Sequence, residues 1–460
     1  MSEHTTTQRV LFPGIFDRPV VAQFDQPQSS SDGGAILLKA ADRRLGLTEA
    51  LTTCLEDERQ TGKVDHHLDE LVTQRVMAIA CGYEDTNDAA RLASDPVHKL
   101  LVGRDPEKGE DLASQPTLSR FENSVDRKEL FCLAEALADL VIERHRKRLQ
   151  GRARRITIDV DPTDDPTHGA QQLSFFNAHY DTYCYLPLLG FLTFDQEKEQ
   201  YLVAAVLRAG NAPASAGAVG ILRRVIARLK EAFPGAKIRV RLDGGFAGPK
   251  VLDFLDTEPK VEYGVNLAAN AVLKRKAEAA MKRVRRAAEV SGKTEHVYSE
   301  CQYRTRKTWR WKRRVIYKAE VVRAEGKEPK DNPRFVVTNL KESPQWIYEQ
   351  VYCQRGDLEN RIKELHYGME IGRTSCTSFW ANQFRVLLTA AAYVLMQELR
   401  LGLAGTASAR AQVSSLRERF LKVGAQVVVS VRRIVLHLPQ SFPYWGSFRR
   451  LALSLGAQSG

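Results

Sequence analysis

No apolar run in the 460-residue chain approaches the roughly 20 residues that a membrane-spanning helix requires; the nearest, AAAYVLM at 390–396, belongs to an amphipathic helical segment. A membrane partner is therefore not expected. The first ten residues, MSEHTTTQRV, carry no signal-peptide core. Seven cysteines, Cys54, Cys81, Cys132, Cys184, Cys301, Cys353 and Cys376, are scattered and odd in number, and no C-x-x-C pair occurs. Reduced thiols in a cytoplasmic compartment follow as the expectation, against a zinc module or a disulfide framework. H-E-x-x-H, a P-loop and G-x-S-x-G are also missing, which removes the corresponding peptidase, nucleotide and hydrolase chemistries. Internal repeats are absent as well.

What the chain does have is positive charge. Lys and Arg number 68 against 56 acids, a formal net charge of +12. Such an excess suits a polyanionic partner, with nucleic acid first. Hydrophobic residues at 43% and charged residues at 27% are ordinary for a globular protein, leaving little room for extensive disorder.

Residues 1–33, polar and turn-rich, read as a flexible arm. From 34 to 150 apolar residues recur three or four apart, the mark of a helical region. Within it SQPTLSRFENSV (114–125) places Thr117, Arg120 and Asn123 on one short helix. That helix is a candidate DNA contact through Arg120, or simply a connector. At Arg155 the pattern changes to β-β-β-α-β-α-β, which predicts a mixed sheet with helices on its faces over 151–270. Residues 271–340 interrupt this rhythm and read as a basic, β-rich insertion. A long helix pair follows over 341–404, then a C-terminal region, 405–460.

The sequence ITIDVDPTDDPTHG (156–169) sets Asp159, Asp161, Asp164 and Asp165 within seven positions, directly after a β-branched strand. A calcium loop does not account for them, since Asp164 stands where glycine is needed and Ala170 where glutamate is. Carboxylates drawn from separate elements can instead hold magnesium ions for phosphodiester chemistry. Asp161 ends the first strand before Pro162, and Asp243 ends a later strand in RLDGGF, where two glycines allow a ligand close to the backbone. Glu359 lies in YCQRGDLENRIKEL, where Tyr352, Arg355, Glu359 and Lys363 follow at helical spacing. Each has a bland counterpart: a turn, or a solvated helical face.

These motifs, with FFNAHYDTYCYLPLLGF between them, resemble the DDE transposases of bacterial insertion sequences, nearest the group numbered thirteen-eighty. The resemblance implies a ribonuclease H-like α/β catalytic core broken by the β-rich insertion, with a helical N-terminal DNA-binding region. It also implies a catalytic, metal-binding triad of Asp161, Asp243 and Glu359, with two magnesium ions for which manganese can substitute. Asp159, two positions earlier on the same strand face, is a second candidate for the first ligand. The signature helix would contact DNA through Tyr352 and Arg355. Its lysine position holds His366, so either Lys363 or His366 takes over that contact. Trp309 and Trp311, set among Arg304, Arg306, Lys307, Arg310, Lys312, Arg313 and Arg314, either stack on a base or pack as an aromatic strand. The expected activity is binding of terminal inverted repeats, cleavage of the element ends and joining of their 3′ hydroxyls to target DNA. A homodimer on paired ends and a cytoplasmic, nucleoid-associated location in a bacterium are further implications. Two rivals stand beside it: a catalytically silent DNA-binding descendant, and a nuclease of the same fold without strand transfer.

Overall fold

The computed structural model describes residues 9–305 and 308–459; Arg306, Lys307 and the first eight residues of the arm lie outside the described residues. The described part of the arm is a hairpin, β1 (Arg9–Phe12) and β2 (Val20–Gln23), followed by a short β3 (Ser29–Ser30).

Helices then run from α1 (Ile36–Leu45) and α2 (Leu47–Thr52) through α3 (Leu68–Cys81), α4 (Ala89–Leu92), α5 (Pro96–Val102) and α6 (Gln115–Ser124) to α7 (Arg127–Leu149). Local chemistry sets their ends: Asp95 accepts from the amides of Val97 and His98 to start α5, and Asp126 with Glu129 forms a capping box on α7. Cys54 and Cys132 are joined by a disulfide, with Cα atoms 5.4 Å apart. This corrects the expectation that all thiols are reduced. The two lie 78 residues apart, and the packing of α2 on α7 brings them together, which spacing alone does not reveal.

The sheet begins with β4 (Arg155–Pro162), a small side sheet of β5 (Asp165–Pro166), β6 (Phe175–Asn177) and β7 (Thr182–Tyr185), then β8 (Leu188–Phe194) and β9 (Tyr201–Val206). After α8 (Ala218–Ala232) come β10 (Lys237–Leu242), α9 (Pro249–Thr257) and β11 (Val261–Leu267). β4 pairs antiparallel with β8 and β8 with β9, whereas β4, β10 and β11 run parallel. Strand β10, KIRVRL, is buried from Ile238 to Leu242, as a parallel strand covered on both faces must be.

Residues 271–340 supply α10 (Ala271–Ser291), β12 (Glu295–Tyr303), β13 (Arg313–Val322), β14 (Lys330–Asp331) and β15 (Arg334–Thr338). Rather than folding as a separate unit, these strands extend the main sheet, because β15 pairs antiparallel with β11 and with β13. The result is one mixed nine-stranded sheet with the path β12-β13-β15-β11-β10-β4-β8-β9, and β14 paired to β13 off this path.

The chain continues through α11 (Pro344–Trp346), a π-helical turn at Ile347–Tyr352 and a 3-10 turn at Cys353–Arg355 into α12 (Gly356–Met369). Helix α13 (Phe379–Gly402) is buried along nearly its whole length and packs on α3, α7 and β9. Its buried polar side chains, among them Gln383, Arg385 and Glu398, find partners in neighbouring elements, and the helix fuses the helical layer to the sheet. The C-terminal region adds α14 (Val413–Leu416), β16 (Ala425–Val429), β17 (Ile434–His437) and α15 (Trp445–Ser454), with β16 pairing both β17 and β3. Among the described residues, no helix is long and apolar enough to cross a membrane.

Candidate active site

The parallel register of β4 and β10 aligns Val160 with Leu242, so Asp161, still paired with Leu189 of β8 near the end of β4, neighbours Asp243, the first residue beyond β10. Burial pushes the Asp161 carboxyl up to about 6; the Arg355 guanidinium opposes this shift and the Asp243 charge adds to it. Asp243 caps the turn at Gly244–Phe246, accepting a hydrogen bond from the Gly245 amide at 2.9 Å. A Cβ on Gly245 would come within 2.5 Å of the Ala214 methyl, so only glycine fits this turn.

Asp159 occupies a different environment. It is 0% exposed, and its two oxygens accept from Arg241 Nε at 2.7 Å and Nη2 at 2.5 Å, with Gln200 adding a bond at 2.9 Å. Its hydrogen-bonding capacity is thus committed within the core. As a metal ligand it is corrected to one half of a buried ion pair, because Arg241 stands directly beside it in the β4–β10 register. Arg241 also donates to the Val351 carbonyl at 3.1 Å. The pair thereby ties both strands to the turn that precedes α12.

That segment is less regular than a single helix. Tyr352 and Arg355 lie in the π and 3-10 turns, so even α-helical spacing holds only from Gly356 onward. Arg355 reaches Asp161 at 2.6 Å, while Glu359, its side chain 73% exposed, pairs with Lys363 at 2.7 Å. His366, whose pKa burial lowers against the opposing charge of Asp164, meets Thr163 Oγ1 at 2.8 Å. Helix α12 is anchored on its other face by Glu364, which accepts from Tyr393 at 2.7 Å, Arg361 at 2.9 Å, the Val413 amide at 2.8 Å, and Arg400.

Asp161, Asp164, His168, Tyr180, Glu359, Lys363 and His366 line one cleft of about 760 Å³. Asp243 does not line this cleft, but it is near enough for its charge to act on Asp161 and on the Tyr180 hydroxyl. Asp165 is turned inward, accepting from Thr374 Oγ1 at 2.8 Å. The hard-oxygen donors suited to a divalent ion are Asp161 and Asp243, whose mutual repulsion a cation relieves, with Glu359 on the same cleft. Among the described residues, the three groups whose ligand atoms gather within 4.8 Å are instead Asp32, Cys81 and His98. In that cluster Asp32 pairs with His98 and with Lys422, each at 2.8 Å.

The DNA-contact candidates of the insertion lie elsewhere. Trp309 is 5% exposed and packs edge-on against Tyr303 beneath the Arg313 guanidinium. Trp311 Nε1 donates to Asp256 at 2.8 Å. Arg313 is buried on Asp253 and Asp256, whereas Arg310 is exposed and lies over the Trp311 ring. Trp309 is thus packed internally, but Trp309 and Trp311 lie in the connection between β12 and β13 rather than on one face of a strand. Arg120 is exposed on α6, but twelve residues separate α5 from α6, far longer than the turn of a helix-turn-helix. Sequence reading missed Arg241, Glu364 and Tyr180. A charged residue inside a buried strand was the signal for the first; the other two carry no local signal.

A search of curated proteins returns no match. The family model described as transposase DDE domain group 1 matches residues 12–458. A match over nearly the whole length establishes that the chain belongs to the DDE-domain transposase family, group 1.

Proposed function

We propose that the protein is a metal-dependent transposase of the insertion-sequence group numbered thirteen-eighty, with Asp161, Asp243 and Glu359 as its catalytic carboxylates. The observation that carries this reading is the placement of Asp161 and Asp243 at adjacent strand ends, with Asp161 and Glu359 opening into one cleft. When bound there, two magnesium or manganese ions would supply activation of the attacking oxygen and stabilisation of the leaving oxygen. Asp161 and Asp243 would hold them, with Glu359 joining from α12. Arg355 keeps the Asp161 charge compensated, and its fork geometry equips it equally to take a phosphate oxygen. Lys363 and His366 line the same cleft and are the proposed DNA contacts there. The net charge of +12 favours DNA as the polymer, and terminal inverted repeats and target DNA are its two proposed substrates.

The test is a reaction of purified protein with duplex carrying the gene's own flanking ends, with magnesium or manganese, scoring cut and joined products separately. Cleavage and joining are expected from the wild type and from none of Asp161→Asn, Asp243→Asn or Glu359→Gln. Wild-type rates in any of these variants remove that residue from the site; cutting without joining makes the protein a nuclease.

A further inference from the structure

We propose that the β6–β7 hairpin is a stacking platform for unpaired bases of the DNA strand that lies in the cleft; the inference rests on the transposase reading of that cleft. Phe176 and Tyr183 are cross-strand partners in the register of this hairpin. Their rings meet edge-on at 5.6 Å between centroids, yet remain 50% and 61% exposed. Burying such rings is ordinarily favourable, so an exposed pair held in fixed geometry marks a contact surface.

The mount is rigid. Tyr185 Oη donates to the Gln172 carbonyl at 2.7 Å, and Asn177 Nδ2 to the Gly210 carbonyl at 2.8 Å. A Cβ at Gly210 would lie 2.1 Å from the Cys184 carbonyl oxygen, so the hairpin and the 208–212 segment touch backbone to backbone.

Two observations select a base over other occupants. First, the hairpin is continuous with the cleft: Tyr180, in its turn, lines the same wall as Asp161 and Glu359, and Tyr367 of α12 adds a ring 82% exposed. Second, residues 172–185 contain no Lys or Arg, so the surface offers flat π faces rather than phosphate neutralisation. Stacking on such faces tolerates any base sequence. With Trp309 inside the insertion, this hairpin presents the aromatic surface beside the carboxylates.

The experiment uses the full chain and a single-stranded oligonucleotide carrying 2-aminopurine, whose fluorescence is quenched on stacking, with an abasic oligonucleotide as control. Wild-type protein should quench the probe and bind it more tightly than the abasic strand. Phe176→Ala and Tyr183→Ala should each weaken binding roughly 5- to 150-fold, the range of one lost base stack, while leaving the abasic strand unaffected. Phe176→Trp should restore quenching. Unchanged quenching in both alanine variants overturns the proposal, as does a shift of their sedimentation to a smaller species, which would make the patch a protein interface. Quenching without any cleavage of end-bearing duplex supports the platform and fails the transposase reading, so the two are separable.

Discussion

Removing Asp159 should destabilise the protein far more than removing any exposed acid. Asp159→Ala strips Arg241 of two charge-assisted hydrogen bonds in a site from which water is excluded. Only the Val351 carbonyl remains to the guanidinium. Breaking a buried pair from one side costs about 3–5 kcal/mol, because the surviving charge is left uncompensated. An unfolding entropy of about 2.1 cal/mol/K per residue gives roughly 1 kcal/mol/K for a chain of this length, if it melts as a unit. The midpoint should therefore fall by about 3–5 °C. Thermal melts followed by circular dichroism would measure it, alongside Arg241→Met and the double variant Asp159→Leu/Arg241→Met. The double variant should be less damaging than the sum of the singles, because it leaves neither charge unpaired. If Asp159→Ala melts within about 1 °C of wild type, or if the single effects simply add, the buried-pair account is refuted.

Two further outcomes follow from the same geometry. Glu364→Ala should lower the urea midpoint, by about 3–5 kcal/mol in stability at unchanged m-value, and Glu364→Gln should cost less because an acceptor for Tyr393 and the Val413 amide survives. Burial pushes the Asp165 carboxyl up to about 8, against partial opposition from the Thr374 hydroxyl. The native state then binds its proton more tightly than the unfolded chain, whose carboxyl titrates near 3.8. This acid therefore lowers stability progressively as pH climbs from about 4 to about 8. Asp165→Asn should flatten that slope in denaturation curves measured across the range, and an unchanged slope would mean the carboxyl is ionised when folded.

How far the sequence speaks for itself can be judged residue by residue. The strands that carry Asp161 and Asp243 are legible because β-branched, apolar runs end abruptly at Pro162 and at Gly244-Gly245. Asp159 is not separable from Asp161 at that level: both share a strand face, and only the neighbouring strand, 82 residues on, supplies Arg241. The insertion's strands were visible as alternation, but the closure of β15 onto β11 is a long-range pairing that local periodicity does not encode. For Trp309 the sequence leaves base stacking and packing both open, and the choice is made by contacts distant in the chain: it packs on Tyr303 beneath Arg313, which turns inward to Asp253 and Asp256. The irregular turns at 347–355 likewise escape a reading that assumes even helical spacing, and such turns often accompany functional segments.

The way the insertion joins the sheet makes it a cassette. Its boundaries meet across a ladder rung, since Leu267 of β11 pairs with Phe335 of β15. Chain leaving one strand and returning on the next needs only a hairpin turn to be closed. Residues between these two strands can therefore lengthen, shrink or be exchanged for another module without repositioning the strand that bears Asp243, provided the newly bared flank of β15 is shielded from pairing with other chains. Architectures of this kind let the far edge of a sheet diversify while its central parallel strands stay fixed.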